Sequence, residues 1–152
     1  MKFPKVSGKD LNGKLHTIPD TLAGKLNFLV VAYQRWHVRP IETWIPFLQK
    51  LVADHPLIQF YELPTLRKYN FVSQWMIDSG MRSGIQSKEM RARTITLYID
   101  KAEFDKALNI PTENTIYLFL VDCDGTILWR DTGNFSEEKE AAVMKAIATF
   151  EN

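Results

Sequence analysis

A single cysteine, Cys123, stands in a chain of 152 residues. An intramolecular disulfide, a C-x-x-C redox pair and a cysteine zinc cage each need at least two thiols, so none of them can be built from this sequence. An excess of charge of one sign is missing too: 19 Lys and Arg against 18 Asp and Glu leave a formal charge of +1. Nucleic-acid-binding surfaces and polybasic membrane anchors rest on cations gathered on one face, and neither is expected here. Long hydrophobic runs are also absent. The longest, residues 28–33, falls far short of the roughly 20 residues that cross a bilayer, and the opening MKFPKVSGKD holds no apolar signal segment. For the chain as given, a soluble, cytoplasmic protein without membrane insertion is the expectation, and a targeting segment removed upstream would be compatible with it. With no repeat, low-complexity tract or linker, a single domain over residues 1–152 is expected, with 1–25 as an N-terminal lead-in. The 45% of residues that are hydrophobic are enough for an ordinary core.

Periodicity supplies the elements. Residues 3–25, punctuated by Gly8, Gly13, Pro19 and Gly24, suit an irregular or short-hairpin lead-in. Residues 26–33 (LNFLVVAY) are a continuous apolar, partly β-branched run, the pattern of a strand covered on both faces. Ile41, Trp44, Ile45, Leu48 and Val52 recur at helical spacing over 41–53, with Pro46 expected to bend that helix. Residues 57–63 read as a strand and 69–93 as mostly helical, interrupted by Gly80 and Gly84. A strand over 94–99, a short helix over 102–108 and a buried strand over 116–121 follow. Asp122-Cys123-Asp124-Gly125 then supplies turn chemistry, and 126–130 returns as the other arm of a hairpin. Ser136 caps a final helix whose stripe is Ala142, Val143, Ala146, Ile147 and Phe150. The order β-α-β-α-β-α-β-β-α calls for an α/β fold, a mixed sheet with helices on both faces.

Three stretches, taken with that order, resemble a known fold. They are Phe3-Pro4 with Asp10-Leu11-Asn12-Gly13-Lys14 and Gly24-Lys25; Leu97-Tyr98-Ile99-Asp100 with the short helix after it; and Phe119-Leu120-Val121-Asp122-Cys123-Asp124-Gly125. Together they are similar to the thioredoxin-like fold in its peroxiredoxin and cytochrome-maturation thioredoxin branch. That resemblance implies a three-layer sandwich whose mixed central sheet ends in a β-hairpin. Trp44-Ile45-Pro46-Phe47-Leu48 and the strand from Tyr117 to Asp122 further resemble a cysteine-less relative of that shape, the thioredoxin-like assembly factor of the mitochondrial ATP synthase. This second resemblance implies a protein-binding or assembly-chaperone role without naming a target.

The departures from the pattern carry the functional reading. In the thioredoxin-like family a W-C-x-x-C segment follows the first central strand, its leading cysteine made nucleophilic at a helix N-terminus. Here the segment reads Arg35-Trp36-His37-Val38-Arg39-Pro40. Registering on Trp36 puts His37 and Pro40 at the cysteine positions, and registering on Pro46 puts Val38 and Ile41 there. Neither register contains sulfur, so thiol-disulfide and peroxide-reducing activity is expected to be absent. The family's cis-proline before the hairpin strand is replaced by Ile116, with Pro111 displaced upstream. Arg35, His37 and Arg39 crowd a helix start that favours anions. The alternative for them is a set of solvated loop residues with Trp36 packed against the sheet edge.

Other motifs compete. Phe119 to Ile127 matches the h-h-h-D-x-D-G-T motif of haloacid dehalogenase-type phosphatases, with Asp122 as nucleophile and Asp124 as acid/base. Too little chain follows for the remaining residues of that site, and a hairpin turn accounts for Asp and Gly there. Gly8 to Lys14 spells a P-loop lacking its last hydroxyl, with no strand before it and no helix after it. His16, His37 and His55 have no metal-ligand spacing. Cys123, flanked by Asp122 and Asp124, reads as an incidental thiol. Trp75, Met76, Ile77 and Met81 read as sheet-packing residues or, if exposed, as a partner patch.

The functional expectation is therefore a redox-inactive thioredoxin-like protein acting as a protein-binding or assembly module, without catalytic residue, metal or cofactor. Its candidate binding residues are the degenerate redox positions Arg35, Trp36, His37, Arg39, Pro40 and Ile116, and a protein segment or a small anion is the expected ligand. The first alternative is a non-thiol enzyme using His37 as acid/base with Arg35 or Arg39 holding an anion. The second is the phosphatase. The sequence does not encode the oligomeric state.

Overall fold

A computed structural model of the chain describes residues 1–66 and 87–151. Its strands are β1 (Val6–Asp10), β2 (Leu15–Ile18), β3 (Leu26–Ala32), β4 (Ile58–Leu66), β5 (Ile95–Tyr98), β6 (Tyr117–Asp122) and β7 (Ile127–Thr132). Its helices are a single 3-10 turn (Arg35–His37), α1 (Val38–Asp54), α2 (Lys88–Arg93), α3 (Lys101–Ala107) and α4 (Glu137–Glu151).

Among the described residues the seven strands form one sheet in the order β2-β1-β5-β4-β3-β6-β7. β4 runs parallel to both β3 and β5, while β6 and β7 turn back antiparallel. Every residue of β3 is buried, because the sheet is covered on both sides. Leu26, Phe28, Val30 and Ala32 point to one face, where Ile41, Trp44, Leu48 and Leu51 of α1 and Val143 and Ile147 of α4 close over them. Leu29, Val31 and Tyr33 point to the other, among Phe3, Ile18, Leu63, Leu97, Phe104 and Phe119. Trp44, fully buried among Phe28, Phe47, Trp129 and Phe135, donates its indole N–H to the Gly133 carbonyl at 2.9 Å. The layers are helix, sheet and helix, the mixed α/β arrangement that the element order called for.

The differences from the sequence reading have local causes. α1 starts at Val38 rather than at 41, because Pro40 sits in its first turn, where a missing N–H breaks no helical bond. The lead-in is the short hairpin of the two alternatives, β1 pairing with β2 and then along β5. Gly8 is required there: a Cβ would lie 2.2 Å from the Thr96 carbonyl oxygen of β5. β4 runs on through Pro64, which faces Ala32 at the end of the β3 pairing. Of the stripe on α4, Val143 and Ile147 are buried and Ala146 packs on the core, whereas Ala142 and Phe150 are exposed. From the helical reading of 69–93, residues 88–93 form α2, capped by Ser87. The rest of it, with Gly80, Gly84 and the Trp75, Met76, Ile77 and Met81 set, lies outside the described residues.

Candidate functional site

β3 ends at Ala32 among the carboxyl ends of the parallel strands, and the chain turns there through Tyr33 and Gln34 into the 3-10 turn and α1. Open α/β sheets place their sites at such ends. One histidine shapes the turn. The backbone N–H groups of Tyr33 and Gln34 both donate to Nδ1 of His37, at 2.9 and 3.1 Å. Two donors on Nδ1 fix the neutral tautomer with its proton on Nε2. The residue is fully buried, and Nε2 has no hydrogen-bond partner. Burial holds the imidazole below its ordinary 6.5, with the Asn114 backbone acting in the opposite direction.

The candidate residues divide into two groups. Arg35, Trp36, Val38 and Arg39 face solvent, with 54% of Trp36 and 52% of Val38 exposed. Pro40 is half-buried, while His37 and Ile116 are buried. The reading of His37 as a solvated loop residue with Trp36 packed on the sheet edge is thus inverted. The ring that the backbone needs as an acceptor goes inside, and the indole stands outside, edge-on to it at 4.4 Å between centroids. Ile116, at the position of the family's proline, packs in the core on the α1 side, and its carbonyl accepts from the Gly133 N–H at 3.2 Å. The surface that remains joins two guanidinium groups, an indole and a valine at the start of a 17-residue helix. Such a surface can hold an anion or an acidic, partly apolar segment. For His37 to act as a base, Nδ1 would have to give up its two backbone donors or Nε2 its proton, so the tautomer disfavours the acid/base role.

The competing motifs resolve into turns. Oδ1 of Asp122 accepts from the N–H groups of Asp124 and Thr126 at 2.9 and 3.0 Å, and Gly125 closes the turn at φ +84°, a conformation L side chains rarely adopt. Asp122 pairs with Leu26 at the start of β3, so this hairpin and its exposed Cys123 lie at the opposite end of the sheet from the 35–40 turn. Asp10 behaves in the same way: its Oδ1 accepts from Asn12 and Lys14 N–H at 2.9 and 3.0 Å, and its Oδ2 meets Nε2 of buried His16 at 2.9 Å. The P-loop-like stretch is therefore strand and turn. His55 follows α1 as its C-cap. Among the described residues no three His, Cys, Asp or Glu side chains gather as a metal site.

The sequence reading missed one group of ionisable side chains. The Tyr33 O–H donates to Oδ1 of Asp105 at 2.5 Å, and Lys101 Nζ donates to Oε1 of Glu113 at 2.6 Å. Lys101 also lies 5.7 Å from the centre of the Tyr33 ring. Burial first, and then the neighbouring Glu113 carboxyl, pushes Asp105 up to about 6. Burial, reinforced by Asp105, raises Tyr33 far above the ordinary phenol value. The only sequence signal was the i,i+4 spacing of Lys101 and Asp105 on a short helix.

Solved structures of the same shape include thiol-disulfide proteins. The thioredoxin domain of a thiol-disulfide oxidoreductase from Bacteroides vulgatus superposes with a TM-score of 0.61 at 17% identity, covering 95% of this chain and 94% of that one. The pneumococcal exposed lipoprotein thioredoxin from Streptococcus pneumoniae gives 0.59 at 11% identity, over 95% and 99%. A thiol:disulfide interchange protein of the thioredoxin family from Chlorobium tepidum gives 0.54 at 17% identity, over 95% and 94%. At these identities the likeness is one of fold, and it makes this chain thioredoxin-like. No curated protein sequence matches the chain. A family model described as ATP10 protein matches residues 1–149, nearly the whole length. With that match, and with the resemblance carried by Trp44-Ile45-Pro46-Phe47-Leu48 and the hairpin strand, the chain belongs to the ATP10 protein family.

Proposed function

We propose that this chain is a redox-inactive thioredoxin-like assembly module that binds a segment of a protein partner on the face made by Arg35, Trp36, Val38 and Arg39. The observation that carries the reading is the condition of this turn. At the helix start where a thioredoxin-like protein presents sulfur, the chain presents guanidinium, indole and aliphatic groups around a buried, neutral imidazole. Disulfide exchange needs an attacking thiolate and a second thiol to resolve the mixed disulfide. The chain's one thiol is at the far end of the sheet. Membership in the ATP10 family supports assembly as the purpose, and we take an unassembled subunit of an ATP synthase as the partner to test. A small anion at the same helix start is the second reading, favoured by the Arg35 and Arg39 guanidinium groups that face solvent there.

Two assays test the proposal. Insulin reduction with dithiothreitol as electron source is expected to run no faster with the chain than without it. Co-purification of ATP synthase subunits with the chain is expected to disappear when Arg35→Glu and Arg39→Glu are combined, with folding unchanged by circular dichroism. Thiol-dependent turnover, or co-purification indifferent to the double charge reversal, rejects the reading. Saturable phosphate binding without any protein partner would favour the anion instead.

A further inference from the structure

β3 pairs with β6 as far as Val31 and with β4 as far as Ala32, so Tyr33 stands just past the end of both ladders. Its backbone N–H is one of the two that converge on Nδ1 of His37. Two donors meet one nitrogen only while both residues keep their places, and hydrogen bonds weaken steeply off their axis. Gln34 is exposed, so the anchor of this pair of donors is Tyr33, which is buried. The Tyr33 ring meets Tyr117 edge-on at 6.4 Å between centroids, and its O–H ends on Oδ1 of Asp105 at 2.5 Å. Asp105 is itself firmly placed. It follows Phe104, which packs edge-on against Phe3 in the core, and its backbone carbonyl accepts the Ile110 N–H at 2.8 Å.

We propose that Tyr33 is the positioning residue of the 35–40 face: its O–H, anchored on Asp105 of α3, keeps its own backbone N–H on His37, and His37 in turn keeps Trp36 outside. The links are contiguous. The His37 ring lies edge-on to the Trp36 indole at 4.4 Å between centroids, and α1 begins at the next residue, Val38. Without the anchor, residue 33 can shift at the open end of the strand. The imidazole then loses the alignment of one of its two donors, and with it part of what fixes Nδ1 as the acceptor. Tyr33→Phe isolates this effect, because the ring and its contact with Tyr117 remain and only the O–H goes. The last link, from an ordered turn to partner capture, rests on the reading of this face as the docking site, whereas the earlier links belong to the free chain.

Amide hydrogen exchange by NMR on the full chain reads the earlier links. In Tyr33→Phe the protection of the amides of residues 33 and 34, taken relative to those of β6, is expected to fall about tenfold, the worth of a hydrogen bond to a charged group. Asp105→Ala, which removes the acceptor from the α3 side, is expected to do the same, and the double variant to lose no more than either alone. Asp105→Asn, whose amide oxygen still accepts the phenol proton, is expected to stay within about twofold of the native chain. Co-purification of ATP synthase subunits is expected to weaken in the same order. Relative protection that stays flat in both Tyr33→Phe and Asp105→Ala, as uniform destabilisation would leave it, overturns the proposal. So do additive losses in the double variant, or an Asp105→Asn chain that loses as much as Asp105→Ala. Protections that fall as expected, in a chain whose native form captures no subunit, uphold Tyr33 as the anchor of the turn and reject the docking reading instead.

Discussion

Two turns at opposite ends of the central strand show how a sequence motif and a functional surface can part company. The 122–126 hairpin carries the stronger motif, two aspartates and a glycine in phosphatase order, yet its Asp122 carboxylate is committed to two N–H groups of its own turn. The 35–40 turn has no motif, yet it leaves two arginines, a tryptophan and a valine facing solvent, because a single buried imidazole satisfies its backbone. A polar group can act on a partner only if the fold has not already taken its hydrogen-bonding capacity. Asp10 repeats the first case and His37 makes the second possible.

Substitutions can break this comparison, and the largest effect is expected at Asp10. Asp10→Ala removes a buried partner of His16 and the acceptor of two N–H groups, which predicts a loss of about 3–5 kcal/mol in urea unfolding. A loss under about 1 kcal/mol would mean that the hairpin does not rely on its carboxylate. His37→Ala strands two backbone donors and is expected to cost about 1–3 kcal/mol. It should also change the pH profile. The folded imidazole resists protonation, so native stability is full above the unfolded value near 6.5 and falls as pH drops below it, a slope the variant should lose. Asp122→Ala, in a turn at the surface, is expected to cost only about 1 kcal/mol. Mg²⁺-dependent release of phosphate from an aryl phosphate, abolished by this change, would reverse the account of that hairpin. Trp36→Ala is expected to leave stability within about 0.5 kcal/mol while weakening partner capture, since the indole stands outside.

Much of the fold was legible because its strands are extreme cases. Residues 28–33 and 116–121 are apolar without alternation, which only a sheet covered on both faces explains, and Asp-Gly marked the hairpin between β6 and β7. The start of α1 was misplaced because a proline two residues inside it reads as a boundary, although in a first turn it costs nothing. At the site, the lack of sulfur was visible in one line of sequence, but the direction of each side chain was not. Nothing in Arg35-Trp36-His37 tells which ring goes inward, since that depends on two backbone donors at Tyr33 and Gln34. The Asp10–His16 pair had a usable signal. The hairpin register sets His16 opposite Gly8, two residues from Asp10 and therefore on its face of the sheet. The Tyr33–Asp105 contact joins residues 72 positions apart, and no spacing rule predicts it.

The most direct test of the central claim is site-specific photo-crosslinking from a benzoylphenylalanine at position 36, with the same probe at Asp124 in the opposite turn as control. The account predicts a discrete crosslink to an unassembled ATP synthase subunit from position 36 and none from position 124. Equal labelling from the two positions, or none from position 36, would contradict it.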